Sequence, residues 1–241
     1  MPERDAFSMA MALIAGADPA LWGIVGLSLA VSLSAVLLAA LIGLPLGAAL
    51  ALFRFPGRGA LVTLFNGMMG LPPVVVGLAV YLLLSRAGPL GDLGILFTPG
   101  AMVIAQTILI VPIIAALARQ TVEDAWREYE EQMRSLGATP RRSIGTLIWD
   151  TRFSLATAVL AGLGRASAEV GAVMIVGGNI EGFTRVMTTA IALETSKGDL
   201  PLALGLGLVL LGVVLLLNVL VGLLRRWRER ADTLPSGLLA T

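Results

Sequence analysis

Neither cysteine nor histidine occurs among the 241 residues. Disulfides, thiolate chemistry, histidine-centred metal sites and a histidine general acid or base are all excluded. Lysine occurs once, as Lys197, and Gly198 follows it. There is no G-x-x-x-x-G-K-[ST] phosphate loop, so any ATP that drives this chain must be bound by another. Charge is scarce as well. Asp, Glu, Lys and Arg make up 14% of the chain, whereas a soluble domain carries roughly 25%. A chain so short of charge must turn much of its outer surface to lipid.

Apolar sequence is abundant, with 57% hydrophobic residues and a mean hydropathy of +0.90. It falls into runs at 21–53, 61–84, 101–118, 153–176 and 202–224, within a membrane domain covering 21–226. About 20 apolar residues suffice to cross a ~30 Å hydrocarbon core as a helix. The fold class expected is therefore all-α integral membrane, with about five transmembrane helices. The first run holds no charge and is long for one span, with Pro45 as the natural place for a kink. The second is interrupted by Asn66, Gly67, Gly70 and the pair Pro72-Pro73. A double proline at membrane depth is either a packing kink or a break lining a path, and the pattern favours the break. Ahead of the spans, residues 1–20 are mostly apolar from 6 to 16, but Glu3 and Asp5 argue against a signal peptide. A short surface helix is expected there.

The arginines give the spans a direction. One alternation places 12 of the 17 Lys and Arg residues on one side: Arg54, Arg58, the arginines from Arg119 to Arg152, and those of the tail, 227–241, with its anchor Arg225-Arg226-Trp227-Arg228. The other side holds Arg4, Arg86, Arg185 and Lys197. The rich side is expected in the cytoplasm, with the N-terminus outside and the C-terminus inside.

The polar stretch 119–152 is patterned. Val122, Ala125, Trp126, Tyr129, Met133 and Leu136 recur at helical spacing, opposite Glu123, Asp124, Arg127, Glu130 and Glu131. Gly137 follows as a stop, and Thr139-Pro140 starts a second helix with Ile144, Leu147 and Ile148 on its apolar face. Such a helix–glycine–helix element either rests on the bilayer or docks a cytoplasmic partner. Its balanced charge disfavours simple adhesion to anionic lipid.

Within the fourth run, Arg165 and Glu169 stand four residues apart and are expected to share a helix face. A charge at the bilayer centre costs at least about 2.5–3.5 kcal/mol, so the two either pair for packing or face a water-filled path. Gly171, Gly177 and Gly178 permit close backbone approach, for packing or for lining that path. The outer segment 180–199 reads as a solvated connector or a docking loop, with a possible short helix from Thr184 to Thr195.

Three stretches resemble one family. Glu131-Gln-Met-Arg-Ser-Leu-Gly137-Ala138 looks like the cytoplasmic E-A-A-x-x-x-G loop of type I ABC importer permeases, although Gln132 and Met133 replace the two alanines. The usual I-x-L-P ending appears as Leu147-Ile-Trp-Asp150, without its proline. Leu71-Pro-Pro-Val-Val-Val-Gly77-Leu78 and the segment from Gly164 to Ile180 resemble molybdate and tungstate permeases, the latter segment being nearest to tungstate importers. The resemblance implies the following. Glu131, Gly137, Ala138, Thr139 and Arg141 couple to an ATPase. Pro72, Pro73, Arg165, Glu169, Gly177, Gly178 and Asn179 belong to the translocation path or gate. The chain is no enzyme and holds no cofactor, ATP and Mg being bound by its partner. Its partners are a second copy of itself, two cytoplasmic ATPase subunits, an extracytoplasmic oxyanion-binding protein and the lipid bilayer of a prokaryotic (inner) cell membrane, with no nucleic acid. The cargo implied is tungstate, with molybdate or another oxyanion as alternatives. A secondary ion-coupled transporter is the rival class; it would account for the broken second span but not for the cytoplasmic element.

Overall fold

The computed structural model describes residues 3–135 and 137–232, which form helices with no strand among them. Leu136 of the expected stripe, residues 1–2 and residues 233–241 of the tail lie outside the described residues, as does the side chain of Arg141. In chain order the helices are α1 (Glu3–Ala15), α2 (Pro19–Leu52), α3 (Arg58–Met68), α4 (Pro73–Leu84), α5 (Pro99–Ser135), α6 (Pro140–Asp150), α7 (Arg152–Ser167), α8 (Gly171–Gly177), α9 (Met187–Lys197) and α10 (Leu200–Asp232).

Stretches of α2, α5 and α10 are long and apolar enough to cross a membrane unaided. Two further crossings exist only as bent pairs: α3 with α4, at 104°, and α7 with α8, at 61°. Counted as pairs, they bring the total to five. The expected second span, 61–84, is thus not one rod. It turns at Met69–Pro72, and Pro73 occupies the first turn of α4, where no backbone N–H is needed. The expected fourth span, 153–176, is likewise broken, at Ala168–Val170.

The other long helices run without a break. α2 continues through Pro45 to Leu52, and its start is capped by Asp18, whose Oδ1 accepts from the backbone N–H groups of Ala20 and Leu21. The third span does not stop at 118. With no glycine or further proline before Gly137, α5 extends 37 residues, about 55 Å, and carries the membrane segment directly into the cytoplasmic element.

α5 is the centre of the molecule. Over its most apolar stretch 56% of residues are buried within the chain, against 11% in α10, most of whose surface no other helix of the chain covers. The main core joins α2, α4, α5 and α8 through Val31, Val76, Val80, Met102, Ala105, Val173 and Val176. Lipid tails are as apolar as these side chains, so close van der Waals fit has to hold the helices together. The α2–α5 contact shows it: a Cβ on Gly47 would lie 2.7 Å from Ala118 Cβ and 2.9 Å from the backbone N of Arg119. At the other end α1 packs on α10, with Ala6 and Ala10 buried. The segment 180–199 is not a solvated connector. Its helix α9 buries Met187, Thr188, Thr189, Ala190 and Glu194 and packs on α10.

Gly47→Val should lower the thermal unfolding midpoint in detergent, by overpacking worth about 1–3 kcal/mol. Gly23→Ala, where an added Cβ meets nothing within 4 Å, should leave it unchanged.

Candidate intramembrane gate and cytoplasmic handle

The break in the fourth crossing is built around one carboxylate. Helix α7 ends at Ser167, and Glu169 then turns its Oε1 to the backbone N–H of Ala172 at 3.1 Å, capping α8 instead of continuing α7. Its Oε2 accepts from Arg165 Nη1 at 2.6 Å. The two residues therefore meet as expected, but not on a shared helix face, because Glu169 lies beyond the helix end. The pair is lopsided. Only 3% of the Glu169 side chain is exposed, against 35% for Arg165.

Breaking a helix frees carbonyls, and at membrane depth each needs a partner. Gln106 of α5 donates its Nε2 to Ala166 O at 3.1 Å, and Thr188 of α9 donates its hydroxyl to Glu169 O at 2.8 Å. The break is thereby stitched to two other helices. Sequence reading missed both residues. A single glutamine in an apolar run was the available signal for Gln106; Thr188 carried none.

The second crossing breaks beside the fourth. A Cβ on Gly171 would come 2.7 Å from Val74 Cγ2, and one on Gly77 would come 2.7 Å from Ala172 Cα. The backbones of α4 and α8 are thus nearly in contact, so that the first turns of the two helices, just after Pro72-Pro73 and Glu169, pack together. Pro72 is exposed and Pro73 half-buried.

Gly177, Gly178 and Asn179 lie farther along, in the turn that ends α8. Gly177 is buried against Met102, where a Cβ would come 2.9 Å from the sulfur. Gly178 has φ +71° and lies against Phe97, whose backbone N–H donates to Val176 O at 3.0 Å. Thr184 closes the turn by donating its hydroxyl to Gly177 O at 2.6 Å and accepting from Ile180 N at 2.9 Å. Nearby, Glu194 is a second buried acid, paired with Lys197 at 3.0 Å and Arg185 at 3.5 Å. Its burial was not legible while 180–199 read as a connector.

The helix–glycine–helix element lies at the far end of α5. Gly137 (φ +73°) stops the helix, and the N–H of Ala138 closes on Met133 O at 2.9 Å. Thr139 occupies the capping position ahead of Pro140, but its hydroxyl makes no cap bond; its carbonyl accepts from the N–H groups of Arg142 and Ser143. Glu131, Gly137 and Thr139 are exposed and Ala138 half-buried. The apolar stripe does not rest on lipid. Val122, Ala125, Leu147 and Leu155 form a core with Ala48 and Leu52, and Trp126, Tyr129, Met133 and Ile144 pack against it. Ile148, expected on the inner face, is at the surface.

The family model described as binding-protein-dependent transport system inner membrane component matches residues 43–231, well over half of the chain. The chain belongs to that family. As a type I ABC importer permease it stands close to tungstate permeases. It is 40% identical over 217 residues to the tungstate uptake system permease protein TupB of Peptoclostridium acidaminophilum, covering 90% of this chain and 95% of that one. It is 38% identical over 222 residues to the protein of the same name from Campylobacter jejuni, covering 92% and 93%. A probable anion ABC transporter permease protein of Haloferax volcanii is 40% identical over 212 residues, covering 86% and 90%. Like these relatives, the permease is a membrane subunit rather than an enzyme.

Thr188→Val would leave the buried carbonyl of Glu169 unpaired, at a cost of about 1–3 kcal/mol. Thermal unfolding in detergent should show the loss, while Ser196→Ala at an exposed position stays at the wild-type midpoint.

Proposed function

We propose that this permease carries an oxyanion, tungstate foremost, into the cell through a path between two copies of the chain, driven by ATP hydrolysed on two cytoplasmic ATPase subunits. ATP and Mg belong to those subunits, and an extracytoplasmic binding protein delivers the anion. The observation that carries the reading is the lopsided pair at the fourth break, a buried acid holding a part-exposed guanidinium. Tungstate is favoured by the similarity to the tungstate uptake permeases of Peptoclostridium and Campylobacter.

The chemistry of the pair suits a gate. A bare carboxylate on the path would repel an oxyanion, and a bare arginine would hold it. Joined, they are near neutral toward a passing dianion. Movement of α7 against α8 would part them and briefly offer Arg165 alone. Pro72 and Pro73 belong to the same gate through the α4–α8 contact, and Gly177, Gly178 and Asn179 form its outer margin. Glu131, Gly137, Ala138, Thr139 and Arg141 make the handle that the ATPase grips. The arginine tally supports an N-terminus outside and a C-terminus in the cytoplasm.

Reconstitution with the ATPase and binding protein tests the reading. Tungstate uptake should require ATP, and the loaded binding protein should stimulate hydrolysis; a chain that transports alone contradicts it. Arg165→Ala and Glu169→Gln should each lower uptake at least about tenfold with the complex still assembled. The amide is the sharper substitution, since its oxygen can still accept from Ala172 N–H while the ion pair is lost. Wild-type uptake in both variants would remove the pair from the mechanism.

A further inference from the structure

A second ionic cluster lies on the cytoplasmic side, away from the gate. Glu123 of α5 is held by three arginines. Arg119 and Arg127 reach it from one turn to either side on the same helix, and Arg58 reaches it from the first residue of α3, with Nη2 3.5 Å from Oε2. Arg58 also donates its Nε to Leu50 O at 2.6 Å, one of the last carbonyls of α2, which have no partner within their own helix. The Arg58 side chain therefore ties three helices together. Arg127 is 71% exposed and joins α5 only to itself.

The position of Arg58 matters because α3 has little else to hold it. None of its residues is buried, and its principal packing partner is α5. Beyond α3 the chain turns through 104° into α4, which lies against α8 at Gly77–Ala172 and Val74–Gly171, beside Glu169. In the other direction, α5 runs unbroken from Glu123 to Ser135, at the edge of the handle. A continuous physical route thus leads from the handle along α5, through Glu123 and Arg58 to α3, and by α4 to the gate.

We propose that the Arg58–Glu123 contact transmits displacement of the handle to the bent second crossing, with both residues acting as positioning residues that stay joined through the cycle. The proposal rests on the permease reading given above. It differs from a stabilising role, since coupling is a property that stability does not report.

The test uses the complete complex of permease, ATPase and binding protein in liposomes, with tungstate uptake and ATP hydrolysis measured on the same vesicles. Arg58→Gln should lower uptake per ATP by about fivefold or more while hydrolysis continues. Arg127→Gln removes a charge from the same carboxylate without cutting the route, and it should keep the wild-type ratio. Because the chain has no cysteine, the double substitution Arg58→Cys with Glu123→Cys offers a unique thiol pair. Uptake per ATP should be low with free thiols and recover when a short bifunctional thiol reagent bridges them. That recovery decides the matter if Arg58→Gln fails to assemble. A wild-type ratio in Arg58→Gln, an equal loss in Arg127→Gln, or no recovery on bridging would each overturn the proposal. If the wild-type complex shows no ATP-driven uptake, the permease reading itself falls, and this inference with it.

Discussion

A helix interrupted inside a membrane must find partners for the backbone groups it frees, because lipid offers none. That constraint organises the fourth crossing of this protein. Glu169 satisfies it on one side by capping Ala172, and Gln106 and Thr188 satisfy it on the other through Ala166 O and Glu169 O. The carboxylate that caps α8 is itself a buried charge, and Arg165 neutralises it at 2.6 Å. One short segment thereby links α5, α7, α8 and α9. A buried pair of this kind is weak evidence for stability, since desolvation offsets most of the attraction. Its presence at a break, with the guanidinium part-exposed, suits an element that moves.

The rest of the fold keeps that break in place while leaving it free to move. Glycines bring backbones together where helices must not separate: Gly43 and Gly47 of α2 against α5, and Gly77 and Gly171 between α4 and α8. Along most of α10 packing within the chain is sparse. The helix–glycine–helix element is not loose. Its apolar stripe folds back on the ends of α2 and α7, so the handle and the membrane helices share one core.

Much of this was legible in the sequence, and the residues show where legibility ended. Uncharged runs and the Gly137 stop depend on local chemistry, and the helices with their boundary at Gly137 agree with them. Pro72-Pro73 marked a break because proline acts on its own backbone. The break at Ala168–Val170 was invisible, since nothing in Ala-Glu-Val forbids a helix; a side chain's preference for a downstream N–H ended it. α2 runs through Pro45 without ending there. Thr188 and Glu194 could not be singled out, since their roles depend on α9 packing onto the membrane helices. Side chains that serve distant backbone leave no periodicity to read.

The central claim is that the fourth break borders a water-accessible path whose state follows the ATPase. Ala168 lies in that break and is exposed, and the natural chain supplies no competing thiol. The most direct measurement is the reactivity of Ala168→Cys, in the assembled complex, toward a membrane-impermeant thiol reagent, compared between the nucleotide-free and ATP-trapped states. The account predicts labelling whose rate differs between the two states. A thiol that stays unreactive in both would place the break against lipid or sealed protein and contradict it.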